Sequence, residues 1–91
     1  MTEIKTLKKI DASSAPKLDV ELKEAIDGGE LEIVVEMSET TYISSVGLRA
    51  FASAQKKMNK LGGSMVLRNA QASIKEIFEV TGFGGILTFE D

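Results

Sequence analysis

The first part of the chain carries apolar residues at helical spacing. These residues are Leu18, Leu22, Ala25 and Ile26. Ser14 stands where it can cap a helix, Pro16 falls in the first turn, and a glycine pair follows at the other end. Together these features predict a first helix over about residues 15 to 27.

A strand-like run follows this helix. Leu31, Ile33, Val35 and Met37 fall on one face of the run, and Val34 adds apolar bulk to the other face. Because both faces carry apolar side chains, the run predicts a largely buried strand.

The second half of the chain continues the alternation of helices and strands. A second helical pattern ends at Gly62, and residues 65–67 predict a short strand. A third helix, capped by Asn69 or a nearby serine, precedes a final strand at residues 86–89. This order predicts an α/β fold with a small, mainly parallel sheet and helices packed against it, in a single domain spanning residues 1–91.

Composition narrows the possible functions. The chain has no cysteine and no histidine, so thiolate and imidazole chemistry is absent, and we expect neither a metal nor a cofactor. No run approaches the roughly 20 apolar residues of a membrane span, and the amino terminus lacks the apolar core of a signal peptide. We therefore expect a soluble, cytoplasmic protein. A net charge of −3 with scattered Lys and Arg argues against a nucleic-acid partner.

Two serines, Ser44 and Ser45, stand where a strand gives way to a helix. A serine hydroxyl at this place can cap the free N–H groups of the helix, and losing such a cap costs about 1 kcal/mol. The positive end of the helix dipole also suits an added phosphate, which carries a charge of about −1.5 to −2. The chemistry of these residues leaves both roles open.

Residues 42–49, Tyr-Ile-Ser-Ser-Val-Gly-Leu-Arg, resemble the signature of STAS domains and specifically of anti-sigma factor antagonists. The match is to the Ser-Ser-Ala-Gly-Leu-Arg form of that signature, with Val46 at the alanine. Residues 10–16 are similar to the family's Leu-Asp-Ala segment before the first helix, and residues 79–83 resemble its closing Thr-Gly-Leu. The resemblance covers the chain from about residue 8 to the carboxyl terminus.

The resemblance implies that the chain binds an anti-sigma factor that is itself a serine kinase and thereby releases a sigma factor. Phosphorylation reverses the binding, and a phosphatase resets it. The implied phosphoacceptor is Ser45. The implied partner-binding residues are Asp11, Ser44, Ser45, Val46, Gly47 and Arg49. The chain would then be a regulatory binding protein, not an enzyme.

Two departures from the family pattern have structural consequences. Ser44 stands where many members have aspartate, so the negative charge beside the phosphoacceptor is absent. The family usually opens with two strands, whereas only residues 2–10 precede Asp11, so one strand is missing or both are abbreviated. A missing edge strand would leave unpaired backbone groups that a second chain or strand exchange can cover, and either arrangement predicts a homodimer.

Two other functions stay open at this point. A STAS subunit of another assembly, such as a lipid-transport ATPase complex or a stress-signalling scaffold, would use the same surface for a different partner. A small enzyme or nucleotide-binding protein would use Asp11 with the serine pair, but the chain lacks a histidine or cysteine base and a phosphate loop.

Overall fold

Six strands and three helices make up residues 1–90, the part of the chain that the computed structural model describes. In chain order they are β1 (Thr2–Lys5), β2 (Lys9–Ile10), α1 (Ala15–Asp27), β3 (Glu32–Glu36), β4 (Tyr42–Ile43), α2 (Ser45–Lys60), β5 (Ser64–Arg68), α3 (Ala72–Val80) and β6 (Thr88–Glu90). The predicted bounds of the first helix are confirmed, and the other predicted elements differ from the observed ones only at their ends.

Four strands form one parallel sheet in the order β1-β3-β5-β6. The strands follow one another across the sheet in chain order. Because successive right-handed crossovers then all move in the same direction along the sheet, the connecting helices lie on one face. Ile4, Val35, Leu67 and Phe89 form one row across the sheet on that face. The predicted parallel α/β architecture is confirmed.

The core lies between this face of the sheet and the helices. Phe78 of α3 joins the layers, since its ring lies 6.1 Å from that of Phe51 in α2 and 5.3 Å from that of Phe89 in β6. Ile33 and Val35 of β3 are completely buried beneath the helices. Burial of each such side chain contributes about 1.5–3 kcal/mol, so the apolar alternation of β3 is what fixes the sheet against the helix layer.

The strands β2 and β4 form a separate parallel ribbon. Two threonines tie this ribbon to the large sheet. Thr6, after β1, and Thr40, before β4, are both buried, with their hydroxyl oxygens 2.5 Å apart. The Thr40 hydroxyl donates its only proton to the Leu7 carbonyl oxygen at 2.7 Å, which makes Thr6 the donor of the shared bond. Two short strands thus precede α1, joined by a segment that this hydroxyl pair holds in place.

Three expectations about local structure are wrong. Leu31 is 55% exposed, because it precedes β3 instead of lying on its buried face. Asn69 does not cap α3: Gln71 occupies the cap position, and Asn69 turns the chain after β5 with a φ of 57°. Ser14 occupies the cap position of α1, but its hydroxyl donates to the Lys9 carbonyl oxygen and caps no helical N–H.

Candidate functional site

The small ribbon places two of the predicted site residues side by side. Its two strands pair Ile10 with Ile43. The residues that follow these two positions, Asp11 and Ser44, are therefore neighbours at the carboxyl ends of the strands. The Ser44 N–H donates to the Ile10 carbonyl oxygen at 2.8 Å and extends the pairing by one residue. Asp11 is thereby brought to the serine pair, although the two segments are far apart in the sequence.

Ser44 is the cap of α2. Its backbone is extended, with φ −84° and ψ 167°, and its hydroxyl oxygen accepts a hydrogen bond from the Gly47 N–H at 3.2 Å. Of the two serines, Ser44 and not Ser45 therefore caps the helix. An aspartate at position 44 would make the same bond and add a negative charge, so the serine supplies the cap without the charge.

Ser45 is the first residue of α2, and its side chain is exposed. Its hydroxyl forms no hydrogen bond with any residue between positions 1 and 90. The first turn of α2 carries no acidic side chain, so the positive end of the helix dipole is not neutralised by its own residues. The hydroxyl is consequently accessible and lies at the positive end of the helix dipole.

Gly47 brings the start of α2 close to the ribbon. A β-carbon at this position would lie 2.7 Å from Cγ2 of Ile10 and 3.0 Å from Cγ1 of Ile43, which is closer than side chains pack. The glycine therefore lets the first turn of the helix rest directly on β2 and β4. This contact fixes where Ser45 stands relative to Asp11.

Asp11 organises the turn between β2 and α1. Its Oδ1 accepts hydrogen bonds from the Ser13 hydroxyl at 2.8 Å and from the Ser13 and Ser14 N–H groups, each at 3.0 Å. These bonds, led by that from the Ser13 hydroxyl, lower the pKa of Asp11 to about 2. Asp11 is therefore a carboxylate at neutral pH, and it holds the turn that leads into α1.

A groove of about 330 Å³ lies between α1 and α2 beside the first turn of α2. Val46, which is 44% exposed, and Arg49 line it from α2. Pro16 and Asp19 line it from α1. The sequence had indicated Val46 and Arg49 but not the two α1 residues. Their spacing of three places them on one helix face, but which face meets α2 depends on the packing of segments distant in sequence.

Residues 1–90 contain no group of three or more acidic side chains placed to hold a metal ion. In the same part of the chain, no helix combines the length and the apolar character needed to cross a membrane. The site is thus described by one exposed hydroxyl, one carboxylate in a turn, and an adjoining groove.

Comparison with known proteins gives one matching family and several relatives. Residues 4–91 match the model of the STAS domain family. BtrV of Bordetella bronchiseptica, named as a candidate anti-sigma factor antagonist, is 32% identical over 74 residues, which cover 81% of this chain and 64% of BtrV. The anti-sigma-B factor antagonist of Bacillus subtilis is 34% identical over 79 residues, which cover 86% of this chain and 71% of that protein. The chain thus spans less than two thirds of the length of BtrV.

The fold is similar to that of the anti-sigma factor antagonist SpoIIAA. The structure of its unphosphorylated form has a TM-score of 0.82 at 16% identity, over 99% of this chain and 80% of SpoIIAA. The phosphorylated form, from Bacillus, has a TM-score of 0.76 at 15% identity, over 99% and 83% of the two chains. At this identity the similarity shows a shared fold.

Proposed function

The chain belongs to the STAS domain family, and on that premise we propose that it is an anti-sigma factor antagonist switched by phosphorylation of Ser45. In its unphosphorylated form it binds an anti-sigma factor that is also a serine kinase, and so releases a sigma factor. A phosphatase restores this form. The proposed protein is a regulatory binding protein of the bacterial cytoplasm, and the names of its relatives support this class of function.

The observation that carries the proposal is that the hydroxyls of the two serines have different roles. Ser44 uses its hydroxyl as the helix cap, whereas the Ser45 hydroxyl is exposed and makes no bond within the described residues. Modification of Ser45 therefore does not remove a cap. A phosphate there would lie at the positive end of α2, where free N–H groups and the dipole stabilise it.

Arg49 gives the phosphate a way to change the binding surface. Ser45 and Arg49 are four residues apart on α2, so their side chains lie on the same helix face. A phosphate on Ser45 can pair with the guanidinium and withdraw it from the groove that it lines with Val46. The unphosphorylated surface offers an apolar side chain and a cation, and the phosphorylated surface offers an anion instead.

The remaining predicted site residues support this surface in different ways. Asp11 is partly exposed next to Ser44, where it can contact a partner while holding its own turn. Gly47 is buried, so its role is to seat the first turn of α2 and not to touch a partner. Val46 and Arg49 are exposed and available for direct contact.

The test uses the serine kinase of the anti-sigma factor class from the same genome. With that kinase and ATP, the wild-type chain should take up one phosphate, and Ser45→Ala should take up none. The matched control is Ser44→Ala, which removes the neighbouring hydroxyl and should still be phosphorylated. Phosphopeptide mass spectrometry that places the phosphate on Ser44 or Ser13 would contradict the assignment.

Binding is measured in the same system. Ser45→Asp should weaken binding of the kinase, whereas Ser45→Ala should retain it. Arg49→Ala should weaken binding of the unphosphorylated chain and reduce the difference between these two variants. No binding of this kinase by the wild type, together with no phosphate uptake, would instead favour a STAS subunit that uses this surface for another partner.

A further inference from the structure

The strand β1 forms an open edge of the four-stranded sheet. It pairs with β3 on one side, and within residues 1–90 no strand pairs with its other side. The Thr6 N–H donates to the Glu36 carbonyl oxygen at 3.0 Å, so the backbone of residue 6 faces β3. Because backbone directions alternate along a strand, the N–H and C=O groups of Glu3 and Lys5 face outward. These two residues therefore offer four backbone groups for pairing.

The two residues whose backbone groups face outward, Glu3 and Lys5, carry one acidic and one basic side chain. Oε1 of Glu3 lies 3.5 Å from Nη1 of Arg68, and Nζ of Lys5 lies 2.6 Å from Oε2 of Glu39. Glu3, Lys5 and Glu39 are substantially exposed and Arg68 is half-buried, and such surface ion pairs contribute little stability. Glu3 and Lys5 can therefore exchange these partners for others at small cost.

We propose that β1 is a homodimer interface, in which two copies pair their β1 strands antiparallel about a twofold axis at Ile4. In this register Glu3 of each copy lies directly opposite Lys5 of the other copy. The outward N–H and C=O groups of both residues then form four backbone hydrogen bonds, with opposite charges side by side. The two four-stranded sheets become one continuous sheet of eight strands.

The charge pattern selects this register. A shift of two residues would place Glu3 opposite Glu3, or Lys5 opposite Lys5, and like charges directly opposite each other are destabilising. Charged side chains on an edge strand commonly prevent pairing. Here the same two charges oppose the shifted antiparallel registers and favour the one that is centred on Ile4.

Apolar surface at both ends of β1 adds to the interface. Met1 is 72% exposed and Leu7 is 64% exposed. The register that pairs Glu3 with Lys5 also brings Met1 of one copy opposite Leu7 of the other. A cavity of about 120 Å³ lies at this edge between Leu7 and α1, so the helices leave space beside β1 unfilled. A second copy would cover these apolar side chains.

Charge reversal tests the register. Sedimentation velocity over a concentration series should show a wild-type dimer. Glu3→Lys and Lys5→Glu each place like charges opposite one another and should each weaken the dimer by about tenfold. An equal mixture of these two variants should regain the wild-type affinity, as should the double variant E3K/K5E. Glu76→Lys, on the exposed face of α3, is the matched control and should leave the affinity unchanged.

Disulfide cross-linking tests the geometry directly, because the chain has no cysteine of its own. Residues that form a directly hydrogen-bonded antiparallel pair lie about 5.5 Å apart at Cα, within the range of a disulfide. A mixture of Glu3→Cys and Lys5→Cys should therefore form a cross-linked dimer under mild oxidation. Glu3→Cys alone is the control and should remain largely uncross-linked.

Two results would overturn the interface: a wild-type chain that is monomeric at every concentration, or a dimer that neither single charge reversal weakens. Ser45 is not part of this edge, so Ser45→Asp should leave the dimer affinity unchanged. A failure of the dimer and a failure of the phosphorylation switch can thus be told apart.

Discussion

At the scale of single residues, the structure most strongly constrains the residue type at Gly47. An alanine here would gain up to about 1 kcal/mol of helix propensity, whereas overpacking against Ile10 and Ile43 costs about 1–3 kcal/mol. Because the Ile10 Cγ2 belongs to a β-branched side chain that cannot easily rotate away, we expect overpacking to dominate. Gly47→Ala should lower the free energy of unfolding by about 1–2 kcal/mol, measured by urea denaturation.

Gly85→Ala is the control for this substitution. A β-carbon at Gly85 would meet no atom within 4 Å, so the alanine should be neutral or slightly stabilising. Equal stability of the two variants would show that the first turn of α2 does not need its close seat on the ribbon.

The residue scale also shows where prediction from sequence stops. The serine pair, the glycine and Asp11 could all be selected from the sequence, because each is tied to a motif. Which serine caps the helix could not, since that depends on a single backbone angle, the extended ψ of 167° at Ser44. Ser14 makes the converse point: its ψ of −26° is helical, so a serine in a cap position turns its hydroxyl elsewhere.

At the scale of elements, the start of α2 separates structure from regulation. Ser44→Ala removes the cap and should cost about 1 kcal/mol of stability, while Ser44→Asp should retain it. Ser45→Ala removes a hydroxyl that makes no bond within residues 1–90, so the change should stay within about 0.5 kcal/mol. Chemical denaturation of the three variants measures the difference. A larger loss of stability for Ser45→Ala than for Ser44→Ala would show that Ser45, and not Ser44, caps the helix.

The elements themselves were largely predictable because local signals agree. In α1, apolar spacing, an early proline and a closing glycine pair all indicate the same helix, and its bounds are those predicted. In β3 the alternation is strong, but Leu31 extends the pattern beyond the strand, where no helix covers it. The groove between α1 and α2 has no local signal, since it arises only when the two helices pack together.

At the scale of the whole molecule, Thr6 and Thr40 join the site-bearing ribbon to the large sheet. Thr40→Val would leave the Leu7 carbonyl oxygen without its hydroxyl donor, while the Thr6 hydroxyl could turn its proton to the Glu36 carbonyl oxygen at 3.2 Å. A hydrogen bond of this kind contributes about 0.5–1.5 kcal/mol, so the substitution should destabilise the chain by that amount.

The loss should be local before it is global, because each strand of the ribbon has only two paired residues, whereas β3 and β5 are longer and are paired on both sides. Hydrogen exchange in Thr40→Val should therefore accelerate at Ile10, Ile43 and Ser44 more than in β3 and β5, which lie in the middle of the four-stranded sheet. Thr41→Val is the control, since its hydroxyl makes only an exposed 3.3 Å bond to the Lys8 carbonyl oxygen. If both variants accelerate exchange equally, the buried hydroxyl pair is not what fixes Ser45 against the body of the molecule. If only Thr40→Val does so, the position of Ser45 depends on the hydrogen bond between the Thr40 hydroxyl and the Leu7 carbonyl oxygen. These two residues are 33 positions apart in the sequence.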